Sequence, residues 1–76
     1  MPADQPQWVL DARRATGDRI RVRRLHQNMT QETLAYSAGL DRSTIQRMEG
    51  GSEMKLSHLL LVAHALRVHV TDLLHG

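Results

Sequence analysis

The stretch QETLAYSAGLDRSTIQRME, Gln31 to Glu49, constrains the fold more than any other part of the chain. Leu34, Ala35 and Ala38 recur at helical spacing, Gly39 interrupts, and Ile45 and Met48 resume the apolar rhythm in a second segment. Gly39 suits the left-handed conformation that ends a helix without steric penalty, so the pattern predicts two short helices meeting at a tight turn. Thr30 and Asp41 stand where each helix begins and are of the residue types that cap helix starts, and Glu32 lies in a first turn, where the helix dipole favours an acid. Leu40 is expected to point back into the core. With Ile45 and Met48 inward, Arg42, Ser43, Gln46 and Arg47 are left on the outer face of the second helix.

A chain of 76 residues allows one domain with a small core, because a short chain leaves much of its surface in water even when folded. It contains no cysteine, which removes disulfides and thiolate metal ligands but by itself leaves the redox compartment open; an intracellular reading is the simpler one. The opening MPADQPQWVL lacks a basic segment followed by a long apolar run, and the cluster HLLLVAHAL is too short and too interrupted to span a bilayer. The expectation is a soluble, cytoplasmic protein with no membrane partner. Net charge is only +2, yet six of the ten basic residues fall between Arg13 and Arg24. Such a segment can attract nucleic-acid phosphates, anionic lipid or an acidic protein, and it is equally the pattern of a solvated helix face.

Leu, Arg and Ala are the commonest residues and aromatic residues are scarce, so helix propensity is high and strands have little support. The chain reads as all-α. Asp4 could cap a short helix from about Gln5 to Thr16, with Gly17 interrupting or weakening it; residues 1–16 then form an N-terminal extension and residues 17–76 the main domain. A first core helix is expected from Asp18 to Gln27, burying Ile20 and Leu25 and ending at Asn28, with Met29 as an inward plug. Ser57 is the expected cap of a fourth helix reaching Leu66, and Thr71 the start of a last turn in which Leu73 or Leu74 closes the core.

From Gly17 to Leu74 the chain resembles the phage Cro and repressor class of helix-turn-helix domains, the XRE family. The resemblance rests on Thr30-Gln31, Leu34-Ala35, Ala38-Gly39, the run Arg42-Ser43-Thr44-Ile45, Met48-Glu49, Gly51, and the terminal Ala63, Leu66, Val68, Asp72 and Leu73. It implies a five-helix, lambda-repressor-like DNA-binding domain, here with an extra N-terminal helix or helical extension. The third helix would enter the major groove of double-stranded DNA, and the protein would act as a homodimer on a two-fold site. Arg42, Ser43, Gln46 and Arg47 match the base-facing positions, and Arg and Gln have the paired donor geometry that reads guanine and adenine edges. Thr44 would lie near a phosphate or a thymine methyl. Gln31 matches the family's phosphate anchor at the amino end of the second helix, and Lys55 is the one basic residue of the following loop, which is usually basic in phage members. Arg24 and Glu49 match a buried ion pair that sets the angle of the reading helix; the alternative is two unrelated solvated charges.

Three departures stand out. The loop Gly50 to Met54 carries no basic residue, so fewer phosphate contacts and a shallow salt dependence are expected. Arg67 occupies a position where many members have glycine, so the end of the fourth helix must be strained or differently capped. Thr33 replaces the acid that would complete a capping box with Thr30. Tyr36 could add a hydroxyl to the DNA backbone, or be a partly buried surface residue. Trp8, Ala12, Ala15 and Val22 would form a second apolar stripe if Gly17 does not break the helix, either meeting a partner subunit or covering the monomer core.

His58, His64, His69 and His75 are spaced by six, five and six, which does not put pairs on one helix face as metal ligands, so no metal is expected. No catalytic set and no cofactor motif is visible, which argues against an enzyme. The expected function is sequence-specific transcription regulation, as a repressor or a compact autoregulator such as the controller proteins of restriction systems. The alternative is an antitoxin-like or adaptor module whose main partner is a toxin or another regulator, with DNA binding secondary.

Overall fold

Helix α1 runs unbroken from Gln7 to His26 in the computed structural model, which describes residues 5–76. The expected interruption at Gly17 does not occur. Gly17 is helical and buried because α3 (Arg42–Glu49) crosses α1 there: a Cβ at this position would lie 2.7 Å from the Glu49 carbonyl oxygen and closer still to that of Met48. The residue is small so that two backbones can touch. Thr16, Ile20 and Arg24 continue the inner face at steps of four. Leu25, expected beside Ile20 in the core, is 49% exposed. Five residues on from Ile20 it has rotated about 140° away, whereas Arg24 at four residues stays in register. The proposed cap Asp4 lies outside the described residues, and Pro6 occupies the cap position without a side-chain bond.

The remaining helices are α2 (Gln31–Ala38), α4 (Leu56–Leu66) and α5 (Val70–Leu74). Every helix sends a side chain into one core: Ile20 from α1, Leu34 from α2, Ile45 from α3, Val62 and Leu66 from α4, and Leu73 from α5 are fully buried. Leu73, not Leu74, closes it. Met29 and Leu40 are partly buried against this core, as the spacing around the two turns predicts. Two longer polar side chains finish the packing. Gln27 Nε2 donates to the Leu66 carbonyl at 2.6 Å, and Arg19 Nη1 donates to the Leu73 carbonyl at 3.3 Å.

The first four helices end in the same way. Asn28, Gly39, Gly51 and Arg67 each adopt positive φ, at 56°, 70°, 84° and 59°. The amides that follow them, of Met29, Leu40, Ser52 and Val68, reach back to the carbonyls of Arg24, Ala35, Arg47 and Ala63 at 2.9 to 3.1 Å. This is the Schellman arrangement, which satisfies otherwise orphaned helix carbonyls. Arg67 therefore keeps the glycine-type cap its position calls for and bears the steric cost of a side chain in the left-handed region.

Helix starts are less uniform. Thr30 Oγ1 accepts from the Thr33 amide at 3.0 Å, and the two hydroxyls lie 2.8 Å apart, so Thr33 still contributes where an acid is missing. Asp41 stands at the cap position of α3 but makes no side-chain cap bond, contrary to expectation; its carbonyl carries the first turn. Ser57 is likewise not a cap: α4 begins at Leu56, two residues earlier than a Ser57 cap would give, with Lys55 at the cap position. The last helix starts before Thr71, where the Asp72 carboxylate accepts from the His69 amide at 3.0 Å.

Arg24 and Glu49 join α1 to the end of α3 through two bonds, Nε to Oε2 at 2.6 Å and Nη2 to Oε1 at 3.0 Å. Both side chains are nearly inaccessible to water. The third donor of Arg24, Nη1, meets the Met29 carbonyl at 2.9 Å, and Gln31 Nε2 adds a bond to Glu49 Oε1 at 3.2 Å. Hydrogen bonding to Glu49 raises the Arg24 pKa above the usual guanidinium range; burial opposes it and the carboxylate charge reinforces it. Stability from a raised cationic pKa is lost only as pH climbs through the folded value, so the Arg24 charge persists at every working pH.

Four variants test this packing by urea and thermal denaturation. A glycine in mid-helix ordinarily gains about 1 kcal/mol on replacement by alanine. Gly17→Ala is expected to reverse that sign and destabilise by about 1–3 kcal/mol, because the methyl group overlaps the α3 backbone. Arg67→Gly should stabilise by about 1 kcal/mol through relief of the left-handed side chain, raising Tm by about 4–8 °C for a domain of this size. Glu49→Ala should cost about 3–5 kcal/mol by leaving Arg24 buried and unpaired. A domain this short has about 4–11 kcal/mol in total, so that single change removes at least about a quarter of its stability. The double change Arg24→Met with Glu49→Leu should recover most of the loss.

Candidate nucleic-acid interface

The outer face of α3 is set by the residues that hold its inner face. Ile45 and Met48 sit in the core and Glu49 is held by Arg24, so the rotation of α3 about its own axis is determined. Arg42, Ser43, Gln46 and Arg47 consequently stand exposed along one side, with Thr44 half-buried at its edge. Arg47 Nη2 lies 3.4 Å from Thr44 Oγ1, a long contact on the same helix. Arg42 Nη1 lies 3.8 Å from Glu32 Oε1, across the turn from α2.

Gln31 is the first residue of α2 and is half-buried, its amide nitrogen turned to Glu49. It lines an open cleft of about 580 Å³ together with Arg24, Thr30, Glu32 and Arg42. The fold thus brings Gln31, Arg42, Arg24 and Glu49 to one region between the starts of α2 and α3. Lys55 is exposed at the amino end of α4, outside that cleft. The acid of the preceding loop, Glu53, turns to α1, with Oε1 3.5 Å from Arg13 Nη1 and accepting from Gln5 Nε2 at 3.0 Å.

Tyr36 on α2 is 89% exposed, so the partly buried alternative is set aside. Its position one residue after buried Ala35 was a usable signal for an outward ring. Sequence reading missed the Glu32–Arg42 contact, because it depends on the angle between two helices and leaves no mark in either periodicity. Among the described residues no group of three His, Asp or Glu side chains comes together in a way that could hold a metal ion, and no helix is long and apolar enough to cross a membrane.

A short helix with guanidinium, hydroxyl and carboxamide groups on one exposed side presents forked donors and paired donor-acceptor groups on a rigid support. A family model described as helix-turn-helix matches residues 20–73. The restriction-modification controller protein C.AhdI from Aeromonas hydrophila is 36% identical with a TM-score of 0.77, over 83% of this chain and 96% of its own. The hypothetical transcription factor NHTF from Neisseria is 31% identical with a TM-score of 0.82, over 100% of this chain and 87% of its own. The clp gene regulator ClgR from C. glutamicum is 30% identical with a TM-score of 0.76, over 83% of each chain. No curated protein gives a significant sequence match. The match to the family runs through the two helices, the turn at Gly39 and the core that carries them, and the chain belongs to the XRE-type helix-turn-helix family.

Proposed function

We propose that this protein is a sequence-specific, DNA-binding transcription regulator, a repressor or autoregulator, that binds a two-fold operator as a homodimer. The observation that carries this reading is the outward set Arg42, Ser43, Gln46 and Arg47 on a helix whose rotation is held from behind. An α-helix fits the major groove, where arginine pairs with guanine and glutamine with adenine through two bonds each. Thr44 and Gln31 flank the base-reading residues as backbone contacts, and Lys55 adds a phosphate contact at the start of α4. Likeness to a controller protein, a transcription factor and a gene regulator supports the regulatory role.

Exposed apolar side chains on other parts of the surface support association. Trp8 is 72% exposed, and Val22 on the same helix and Leu74 beyond the core are also open to solvent. On a two-fold site, a homodimer sets its two α3 helices in successive major grooves about 34–36 Å apart.

Selection from a random duplex pool tests the reading as a whole. A palindromic site is expected, with two copies of the chain per duplex by light scattering. Arg42→Ala and Arg47→Ala should each weaken binding by about 1–3 kcal/mol at particular base pairs, with Tm unchanged. Uniform loss across sequences would reassign these arginines to phosphate, and failure to enrich any sequence would favour the protein-interaction alternative.

A further inference from the structure

Glu32 is an acid at the rim of a surface that a polyanion would approach. Its place in the first turn of α2 is accounted for by the helix dipole. The dipole does not account for its contact. Glu32 Oε1 lies 3.8 Å from Nη1 of Arg42, the first residue of α3, so the pair spans the two helices of the motif. Among the described residues it is the only salt bridge Arg42 makes, and Asp41 beside it makes no side-chain cap bond.

Both partners are mostly exposed, so the pair contributes little to folding stability. At 3.8 Å the two groups attract by charge without a hydrogen bond, which leaves orientation of the guanidinium as the property the carboxylate can influence. A guanidinium carries five donors in a fixed plane. With Nη1 turned to Glu32, the edge formed by Nε and Nη2 remains free, and two parallel donors match the N7 and O6 acceptors of guanine. A carboxylate near DNA also repels phosphate, so its presence weakens attraction that depends only on charge.

Resting on the DNA-reading function proposed above, we propose that Glu32 is a positioning residue for base recognition: it holds Arg42 Nη1 so that the Nε–Nη2 edge faces a guanine, raising discrimination while lowering affinity for unrelated DNA. The test uses the full chain and the duplex obtained by selection. Dissociation constants are measured for that duplex, for the same duplex with each half-site base pair replaced in turn, and for a random duplex. The proteins are wild type, Glu32→Gln, Glu32→Asp, Arg42→Ala and the double variant Glu32→Gln/Arg42→Ala.

Glu32→Gln should bind the random duplex at least as tightly as wild type, while discrimination at the base pair sensitive to Arg42 falls about fivefold or more. Glu32→Asp should retain part of that discrimination. In the Arg42→Ala background, Glu32→Gln should have no further effect on discrimination. Undiminished discrimination in Glu32→Gln overturns the proposal. So does an equal loss in the Arg42→Ala background, which would mean that Glu32 contacts a base itself. If wild type enriches no sequence at all, the DNA-reading function fails first, and that result is distinguishable from failure of the positioning role alone.

Discussion

One buried ion pair determines how three helices meet. Arg24 leaves α1, Glu49 ends α3, and through Gln31 and the Met29 carbonyl the same cluster reaches the start of α2. Apolar contacts tolerate sliding, whereas two parallel N–H···O bonds allow little. Desolvation of two charges offsets much of their attraction, so an apolar replacement of both could be as stable. What such a replacement lacks is direction. The outward side of α3 follows from where Ile45, Met48 and Glu49 are held together.

The rest of the molecule reaches close packing with few residues. Backbone contact between α1 and α3 at Gly17 lets Ile20 and Ile45 enter the same core. Turns are tight because four helices end on a left-handed residue and the next amide folds back. At Asn28, Gly39 and Gly51 the residue type eases that conformation, but at Arg67 it does not. A chain of this size gains little from burial in total, so each such concession is a visible fraction of its stability.

The helix-turn-helix stretch was legible because its signals are local. Gly39 is a turn residue in its own right, Thr30 a cap in its own right, and the inward set Leu34, Ala35, Ala38, Ile45 and Met48 follows from spacing alone. The exposure of Arg42, Ser43, Gln46 and Arg47 is the complement of that set. Errors arose where a partner helix decides. Gly17 reads as interrupting or weakening the helix because its reason for being glycine lies on α3, in the backbone of Met48 and Glu49. Leu25 falls only roughly on the side of Ile20, and the helix rotation gives the buried place to its neighbour Arg24, a charged residue whose partner is Glu49. Asp41 and Ser57 had the right chemistry for caps, yet the first sits at the cap position without bonding and the second falls inside the helix. The Glu32–Arg42 contact was invisible because it exists only once the interhelical angle is known.

The unbroken α1 has a consequence for how the molecule opens. Its carboxy-terminal half is gripped by α3 at Gly17, by α5 at Arg19 and by Glu49 at Arg24. Its amino-terminal turns are only half-covered, tied at the surface through Arg13 and Glu53. Amides near Ile20 and Arg24 should therefore exchange with solvent only on global unfolding, and those near Trp8 by local fraying. Helix α1 is a single rod held firmly at one end and more lightly at the other, and the residues that fix α3, Gly17 and Arg24, lie in the firmly held half.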